Sequence, residues 1–394
     1  MFKPSNQRHT FQLAPIALLV GALSACSDGN DTLSAIDTET TDEAAGIFDV
    51  VDSDEAAEIP EIVEVIDTSD ETAEIPEVVE VTDTIESADV TEVIVAGTSS
   101  SSAGVLCDLM DITFNASESV NASSESSWEC SDTQRLLTAN GLPDHDVGTF
   151  PNPANPNTIA ALEVSAAFTL TPELADRSTN LGGPLGPQGY VLNGVKIDAG
   201  TGGSCEDFGE ACSGGNNSGN WNLEALGHTS FDFGADENNA HVQPDGTYHY
   251  HGMPEGFIEK LGGNSSTMTL IAWASDGFPI YARYGYSIAD DAGSAIEVMT
   301  GSYQLVSDIA ETRPPVDVYE MGTFEQDWEF VAGSGHLDQC NGRFGVTPEF
   351  PGGIYHYYAT DSYPYFQRCV NGVIESAGGP GGEGPGGAPG NGPR

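Results

Sequence analysis

Two short stretches of the chain alternate tyrosine with histidine, and this alternation restricts the local fold more than any other feature. They read "GTYHYHGMP" at residues 246–254 and "GGIYHYYAT" at residues 352–360. Successive side chains of a β-strand point to opposite faces. The alternation therefore predicts strands, and in the first stretch it places the two histidines on one face and the two tyrosines on the other.

Further segments predict that the fold is built mainly of strands. Residues 161–171, 189–198 and 269–275 are rich in β-branched and aromatic side chains, with turn-forming residues between them, which is typical of strands joined by turns. One helix is predicted at residues 254–263, which begin with proline and end with glycine. We predict a mainly β fold, a β-sandwich or barrel-like single domain with few short helices, over residues 105–376.

The start of the chain has the features of an export signal. Lys3 and Arg8 precede an apolar stretch at residues 13–23 that is too short to cross a bilayer by itself. The "LSAC" that ends at Cys26 resembles a bacterial lipobox, in which the cysteine becomes the lipidated first residue. An ordinary signal peptide with a chance cysteine is the alternative. We expect a signal peptide over residues 1–25. No acidic residue directly follows the cysteine, which favours an outer-membrane lipoprotein that faces the periplasm or the cell surface.

Two segments are predicted to lie outside the folded domain. Residues 26–104 are acidic and repeat "AEIPEIVEVIDTSDE" as "AEIPEVVEVTDTIES". Dense like charge with few aromatics cannot bury a core, so we predict a disordered tether, with an amphipathic β-repeat as the alternative. Residues 377–394 form a Gly/Pro-rich tail that is also predicted to be disordered.

The charge of the chain restricts its partners. The 394 residues carry a formal net charge of −50. Such a chain repels nucleic acid, because binding to nucleic acid requires lysines and arginines that neutralise phosphates. The expected partners are the membrane, reached through the N-terminal lipid, and a metal ion or small-molecule ligand. The sequence leaves the oligomeric state open.

Six cysteines remain once Cys26 is lipidated. An even number in an exported chain favours disulfides over a metal–thiolate site, and the sequence contains no Cys-x-x-Cys pair. Six cysteines can pair in fifteen ways. Proximity along the sequence suggests one of them, with the pairs Cys107–Cys130, Cys205–Cys212 and Cys340–Cys369.

The histidine face of the first alternating strand is suited to a metal ion. His249 and His251 are expected to lie roughly 7 Å apart at Cα, and leaning side chains let both imidazoles approach one ion at about 2 Å. Neutral imidazoles favour Zn or Cu over Ca or Mg, and Cu has the highest intrinsic affinity. Tyr248 and Tyr250 are expected to pack inside, with partners for their hydroxyls.

Several stretches resemble the family of YHYH domain proteins and occur in the family's order. They are "NGLPDHDVGTFPNPANPNTI" (140–159), "GYVLNGVKID" (189–198), "NNAHVQPDGTYHYHGMP" (238–254), "SDGFPIYARYGY" (275–286) and "LDQCNGRFGVTPEFPGGIYHYYATDSYPYFQRCVNG" (337–372). The resemblance covers nearly all of residues 107–376. It implies an exported protein and a set of motif positions, and it implies no particular activity. The second alternating stretch has Tyr358 in place of the second histidine, which argues against a second metal site.

The histidines within these motifs form the predicted metal site. Our preferred ligands are His249, His251 and His241, with His145 as a candidate fourth ligand. The metal is expected to be Cu or Zn. Two alternatives remain open, namely structural histidines that hydrogen-bond buried carbonyls and catalysis without a metal.

Three carboxylates are candidates to support this site. Asp276 and Asp232 could orient an imidazole by accepting its second N–H. Glu255 completes a His-x-His-x-x-x-Glu pattern that resembles the first metal motif of cupins, although the glycine spacing differs and no second cupin motif follows. An acidic residue is also expected at Glu255 for another reason, because it begins the predicted helix and complements the helix dipole.

The sequence thus supports a lipid-anchored, extracytoplasmic YHYH-domain protein that binds Cu or Zn through a His-x-His strand. A metal-dependent enzyme of unknown reaction and a structural or surface-binding module with packing histidines are the alternatives. Enzymatic activity stays open and no catalytic residue is predicted, because the sequence has no Gly-x-Ser-x-Gly, phosphate-binding or dinucleotide-binding motif.

Overall fold

The protein is described here by a computed structural model that covers residues 101–374 with gaps at residue 202 and residues 214–217. The predicted signal peptide, nearly all of the predicted tether and the C-terminal tail lie outside the described residues. Within the described part, no helix has the length and apolar character needed to cross a membrane.

The described residues fold mainly as strands, which confirms the predicted class. One α-helix, α1 (Glu255–Lys260), falls inside the predicted helical segment. Short 3₁₀ turns lie at Gly183–Leu185, Asp207–Gly209 and Glu325–Asp327. The strands are β1 (Leu109–Asn115), β2 (Ala122–Cys130), β3 (Gln134–Ala139), β4 (Val164–Thr169), β5 (Leu174–Asn180), β6 (Gly189–Val191), β7 (Lys196–Ile197), β8 (Ser204–Cys205), β9 (Cys212–Ser213), β10 (Trp221–Asn222), β11 (Ala240–Val242), β12 (Tyr248–Tyr250), β13 (Thr269–Ala274), β14 (Pro279–Ala282), β15 (Tyr284–Tyr286), β16 (Ile296–Val298), β17 (Tyr303–Leu305), β18 (Trp328–Phe330), β19 (Gly342–Gly345), β20 (Ile354–Ala359) and β21 (Cys369–Gly372).

Two sheets dominate this arrangement. An antiparallel sheet has the strand order β1-β2-β3-β4, and a mixed eight-stranded sheet has the order β11-β12-β7-β6-β13-β14-β20-β19. Smaller sheets pair β10-β8-β9, β15-β16, β17-β18 and β21-β5. The predicted strand at residues 189–198 is in fact a hairpin, β6 and β7, because Asn193-Gly194 forms a turn in its middle.

The four-stranded sheet packs on the eight-stranded sheet and shares its main core. Trp128 of β2 is fully buried, and its indole N–H donates to the carbonyl of Leu192 at 2.7 Å. Arg135 of β3 places its guanidinium 3.6 Å from the centre of the Trp273 ring. The aromatic core thus joins the two layers, since large aromatic side chains bury the most apolar area per residue.

Three disulfides link neighbouring segments, and their connectivity confirms the prediction from sequence. Each has a Cα–Cα distance between 4.0 and 5.3 Å. They are Cys107–Cys130, Cys205–Cys212 and Cys340–Cys369.

The eight-stranded sheet consists of two halves with the same strand arrangement. In the first half, β6 and β7 form a hairpin, and β7 pairs in parallel with β12 of the hairpin β11/β12. In the second half, β13/β14 and β19/β20 repeat these pairings, again with a parallel contact between the hairpins. At the centre β6 pairs antiparallel with β13, and Tyr190 lies opposite Trp273. The two halves are therefore related by a pseudo-twofold axis at this pair.

The same turn chemistry supports both halves. Gly194 and Gly277 have φ of 83° and 88°, a backbone conformation that glycine adopts without strain. The side chain before each glycine, Asn193 or Asp276, accepts a hydrogen bond from the backbone amide two residues later. The sequences of the two turns, "LNGVKI" and "SDGFPI", hide this equivalence because they share few residue types.

Candidate metal centre

Strands β11 and β12 bring three histidines together. His241 lies directly opposite His249 in the antiparallel register, and His251 follows two residues later on the same face as His249. Tyr248 and Tyr250 occupy the other face and are fully buried. The face assignment predicted from the alternation is therefore confirmed, and the long-range strand pairing adds the third histidine.

Each of the three imidazoles is oriented through its Nδ1 atom. His241 Nδ1 is 3.0 Å from the carbonyl oxygen of Phe233, and His249 Nδ1 is 3.3 Å from that of Thr247. His251 Nδ1 is 3.4 Å from the carbonyl oxygen of Ala199. Because a carbonyl only accepts hydrogen bonds, these contacts assign the proton to Nδ1 in each neutral ring and leave Nε2 with a free lone pair.

The three Nε2 atoms converge on one point. His251 Nε2 is 3.0 Å from His241 Nε2 and 2.9 Å from His249 Nε2, and the ring centroids are 4.6–4.7 Å apart. Nitrogens at these separations can each lie about 2 Å from a single Zn or Cu ion. Lone pairs at such distances repel one another unless a cation lies between them, so the donor set fits a metal ion.

Burial keeps these imidazoles neutral. Desolvation lowers the pKa of His241 and lowers the pKa of His249 and His251 well below the usual value. Mutual repulsion among the charged forms adds to the decrease for His249 and His251. A neutral imidazole is the form that binds metal, so the site stays competent for a metal ion at pH values where a solvated histidine is protonated.

The cluster lies at an open cleft. A cavity of about 780 Å³ is lined by all three histidines, with Phe231 and Phe233 on one wall. The histidines themselves expose 2–9 % of their surface, so they form the floor of this cleft. A metal held by three histidines from below would therefore keep a coordination position that a ligand can reach, as catalytic metal sites do.

Asp198 also lines this cleft and was not identified by the sequence analysis. Its buried carboxylate accepts a hydrogen bond from the backbone amide of Gly183 at 2.6 Å and contacts Lys196 at 3.1 Å and Gln243 at 3.2 Å. The carboxylate places negative charge near the histidines and opposes the lowering of the pKa of His241. It ends the motif "GYVLNGVKID", and only the parallel pairing of β7 with β12 brings it to the cleft.

His145, the candidate fourth ligand, is not part of the cluster. Its Nε2 atom is 2.6 Å from the hydroxyl of Tyr250, and its Nδ1 atom is 2.8 Å from the carbonyl oxygen of Asp146. Tyr250 points to the face of β12 opposite His249 and His251. The physical reason is the strand alternation itself, which places any partner of the tyrosines on the far side from the histidine face.

The three predicted supporting carboxylates lie in different places. Asp232 lines the same cleft, is exposed, and accepts a hydrogen bond from the Gly234 amide at 2.7 Å. Asp276 is buried in the second half of the sheet. Glu255 begins α1 and forms an ion pair with Arg283. The cluster imidazoles are thus oriented by backbone carbonyls, and neither Asp276 nor Glu255 lines their cleft.

The equivalent positions in the second half carry different side chains. His356 keeps the histidine, and the other two positions hold Arg343 and Tyr358. His356 Nε2 is 2.9 Å from the Tyr358 hydroxyl, and the Arg343 guanidinium is 5.4 Å from the centre of the Tyr358 ring. Burial lowers the pKa of His356 to about 3. The second half thus has the cationic side chain of Arg343 at the position where the first half has an imidazole.

Fold and site together define a mainly β, disulfide-linked domain with a buried three-histidine centre at the floor of a cleft. Residues 165–372, more than half of the chain, match the family model described as YHYH protein, and the chain belongs to this family. The resemblance stated from the sequence motifs is thereby confirmed. Neither the curated proteins nor the solved structures yielded a significant match.

Proposed function

We propose that this YHYH-family protein is an exported, lipid-anchored protein that binds one Cu or Zn ion through His241, His249 and His251. The observation that carries the proposal is the convergence of three imidazole nitrogens: His251 Nε2 is about 3 Å from the Nε2 atoms of both His241 and His249, and one ligand atom from each ring lies within 4.8 Å of the others. Each Nδ1 faces a carbonyl oxygen. Nitrogen-only, neutral ligands match the preference of Cu and Zn for imidazole.

A purely structural role for the histidines explains this geometry less well. Without a metal, one ring would have to place a proton on Nε2 to bridge its neighbours. It could take a second proton, which burial strongly opposes, or it could change tautomer and lose the hydrogen bond from its Nδ1–H to a carbonyl oxygen. The second half of the sheet shows how a packed version of the same positions is built. There, hydroxyl and guanidinium groups replace two of the three imidazoles, and no lone pairs converge.

The second half also suggests the sharpest test of metal binding. The double substitution His241→Arg/His251→Tyr gives the first half the side chains of Arg343 and Tyr358, which this backbone arrangement already accommodates. Purified wild-type protein should contain about one equivalent of Cu or Zn by elemental analysis, and the double variant should contain almost none. His336→Gln is the matched control, because His336 is exposed and contacts Thr300 and Glu297 outside the cleft.

Circular dichroism and the thermal midpoint show whether the double variant is folded. A folded double variant that retains wild-type metal content would disprove the site. Loss of metal in His336→Gln as well would show that the bound metal is not specific to the cluster.

A metal-dependent enzyme is the second candidate function, and the cleft above the histidines favours it. Three protein ligands leave a position for water or substrate, which is the arrangement of catalytic zinc sites. A titration with azide or cyanide tests for this open position. Replacement of a bound solvent molecule by the anion is monitored in the d–d spectrum of the Co- or Cu-substituted protein. A spectrum that does not change at saturating anion would indicate a closed, structural metal site.

Export and lipidation are proposed from the sequence, and the three disulfides support an oxidising compartment. Metabolic labelling with a fatty-acid analogue should label the wild-type protein and leave Cys26→Ser unlabelled. Fractionation of the labelled cells should place the wild-type protein in the outer membrane. Labelling of Cys26→Ser, or recovery of the wild-type protein in the cytoplasm, would contradict this part of the proposal.

A further inference from the structure

We propose that a second cavity, beside the cleft above the three histidines (the metal cleft), is a binding site for a neutral saccharide. Trp328, Tyr303 and Tyr363 form its aromatic wall. The cavity has a volume of about 600 Å³. It shares the lining residues Gly183, Pro184, Gly200 and Thr201 with the metal cleft, so the two cavities adjoin. The proposal does not require a bound metal, because none of the three histidines lines this second cavity.

The rings of the aromatic wall pack against one another. The rings of Trp328 and Tyr363 stack in parallel with centroids 4.5 Å apart, and Tyr303 meets Tyr363 edge-on at 5.2 Å. Trp328 and Tyr303 are only partly buried. The C–H faces of pyranose rings are apolar and flat, so they pack against aromatic surfaces. The hydroxyls at the edge of the sugar ring stay free to make hydrogen bonds.

Polar groups lie next to this wall. Glu224 is buried on the floor and forms an ion pair with Arg368 at 2.6 Å. The side chains of Asn222, Glu325 and Gln339 line the rim and are exposed. A sugar hydroxyl both donates and accepts, so it is matched by a mixture of carboxylate oxygens and amide groups. Aromatic walls with a few convergent polar groups are typical of small-ligand sites.

The charges of the cavity disfavour an anionic ligand. Arg368 is its one lining cation among the described residues, and that charge is already paired with Glu224. Glu325 adds a further negative charge, and the chain as a whole carries −50. An anionic ligand would meet net repulsion, whereas an uncharged polyhydroxylated ligand would not.

The binding test uses the full-length protein in the presence of EDTA, so that failure of the metal proposal does not affect the result. The probes are cellohexaose, chitohexaose and xylohexaose as neutral oligosaccharides, hexagalacturonic acid as an acidic one, and a hexalysine peptide. Binding is followed by calorimetry at 150 mM NaCl. We expect at least one neutral oligosaccharide to bind with a dissociation constant between about 10 μM and 1 mM.

Two sets of variants locate the binding. Trp328→Ala removes the stacking face and should weaken binding at least tenfold. Gln339→Ala/Asn222→Ala changes only exposed rim side chains and should weaken it about fivefold to tenfold, which keeps the test valid if Trp328→Ala does not fold. Phe344→Ala is the matched control, because Phe344 is 54 % exposed and does not line the cavity. It should bind as the wild type does.

Three results would overturn the proposal. The first is that no neutral oligosaccharide binds. The second is that binding is unchanged in both the aromatic and the rim variants. The third is that only hexalysine or only hexagalacturonic acid binds, which would assign the cavity to a charged ligand.

Discussion

The two halves of the eight-stranded sheet have the same backbone plan and different centres. In both halves a buried tyrosine at the start of the alternating strand donates to an aspartate at 2.8 Å, Tyr248 to Asp236 and Tyr355 to Asp338. These contacts pack the inner face of each hairpin in the same way. The tyrosines of the YHYH pattern are thus the shared structural part, which explains why the pattern occurs twice.

The halves differ on the face that carries the histidines. The first half has three imidazoles there, while the second half keeps only His356 and adds Arg343 and Tyr358. Tyr281 occupies the second-half position that corresponds to Asp198 in the parallel strand register, and its hydroxyl contacts Thr347 and Glu349 inside the protein. One backbone arrangement therefore supports either three converging imidazoles or a polar cluster whose members hydrogen-bond one another, and the side chains decide which.

The largest effect is expected from giving the second half the ligands of the first. Arg343→His/Tyr358→His places three imidazoles at the equivalent register positions and should raise the metal content from about one to about two equivalents per chain. Elemental analysis of the folded protein measures this directly. An unchanged content would show that backbone register and ligand type do not suffice, and that the cleft or Asp198 is also required. His336→Gln, which changes an exposed side chain outside the cluster, is the control.

Removal of the metal should destabilise the first half alone. A ligand present at about a thousand times its dissociation constant stabilises the folded state by about 4 kcal/mol. Chelation of the wild-type protein should therefore lower its free energy of unfolding by up to this amount in urea titrations. His241→Arg/His251→Tyr, which resembles the second half, should show no change on chelation. A similar loss in this variant would place the stabilising metal elsewhere.

Asp276 should make the free energy of unfolding depend on pH, whereas its counterpart Asn193 in the first half does not titrate. Burial raises the pKa of Asp276 from 3.8 to about 6, against the hydrogen bonds from Tyr357, Gly372 and Phe278. The folded state then binds more protons than the unfolded state between these values. The stabilisation from this group is complete below pH 3.8 and is lost as the pH rises through about 6. The loss amounts to roughly 3 kcal/mol for a shift of this size.

Asp276→Asn tests this assignment, because asparagine is the residue that the first half uses at the same turn. The variant should abolish the decrease in unfolding free energy between pH 4 and pH 6, measured by urea titration at each pH and relative to the wild type. Asn193→Asp should introduce a decrease of the same sign. A wild-type profile that is flat over this range would contradict the expected behaviour.

The smallest effects are expected at the paired tyrosine hydroxyls. Tyr248→Phe removes one hydrogen bond to Asp236 and should cost about 1 kcal/mol. Tyr355→Phe removes the bond to Asp338 and also one from Asn371 at 2.8 Å, so it should cost about 2 kcal/mol. Urea unfolding of both variants measures the difference. Equal costs would mean that the Asn371 contact adds nothing to the second half.

Local features of the sequence predicted a substantial part of this structure. The alternation around Tyr248 and His249 predicted the strand and its two faces, because side-chain direction in a strand follows from the backbone alone. The disulfide pairs followed from proximity along the chain, and the short helix from its flanking proline and glycines. His241 was identified as a candidate ligand from its motif, although its strand partner was not visible in the sequence.

Other features were beyond the reach of local patterns. His145 lies in a family motif like the true cluster members, but the fold places it behind Tyr250. Asp198 was overlooked because it carries no distinctive spacing to the histidines and reaches the cleft only through the parallel pairing of β7 with β12. The equivalence of the two halves was likewise left undecided, since the intervening segments differ in length and composition.

The sequence by itself determined which residues can form strands, which face of a strand each side chain takes and which cysteines are neighbours along the chain. These properties depend on neighbours a few positions apart and on fixed backbone geometry. Only the tertiary structure decided that three imidazoles share one point, that the second half fills that point with Arg343 and Tyr358, and that two cavities adjoin. Such properties depend on which distant strands pair and in which register, and that choice is made by the packing of the whole core.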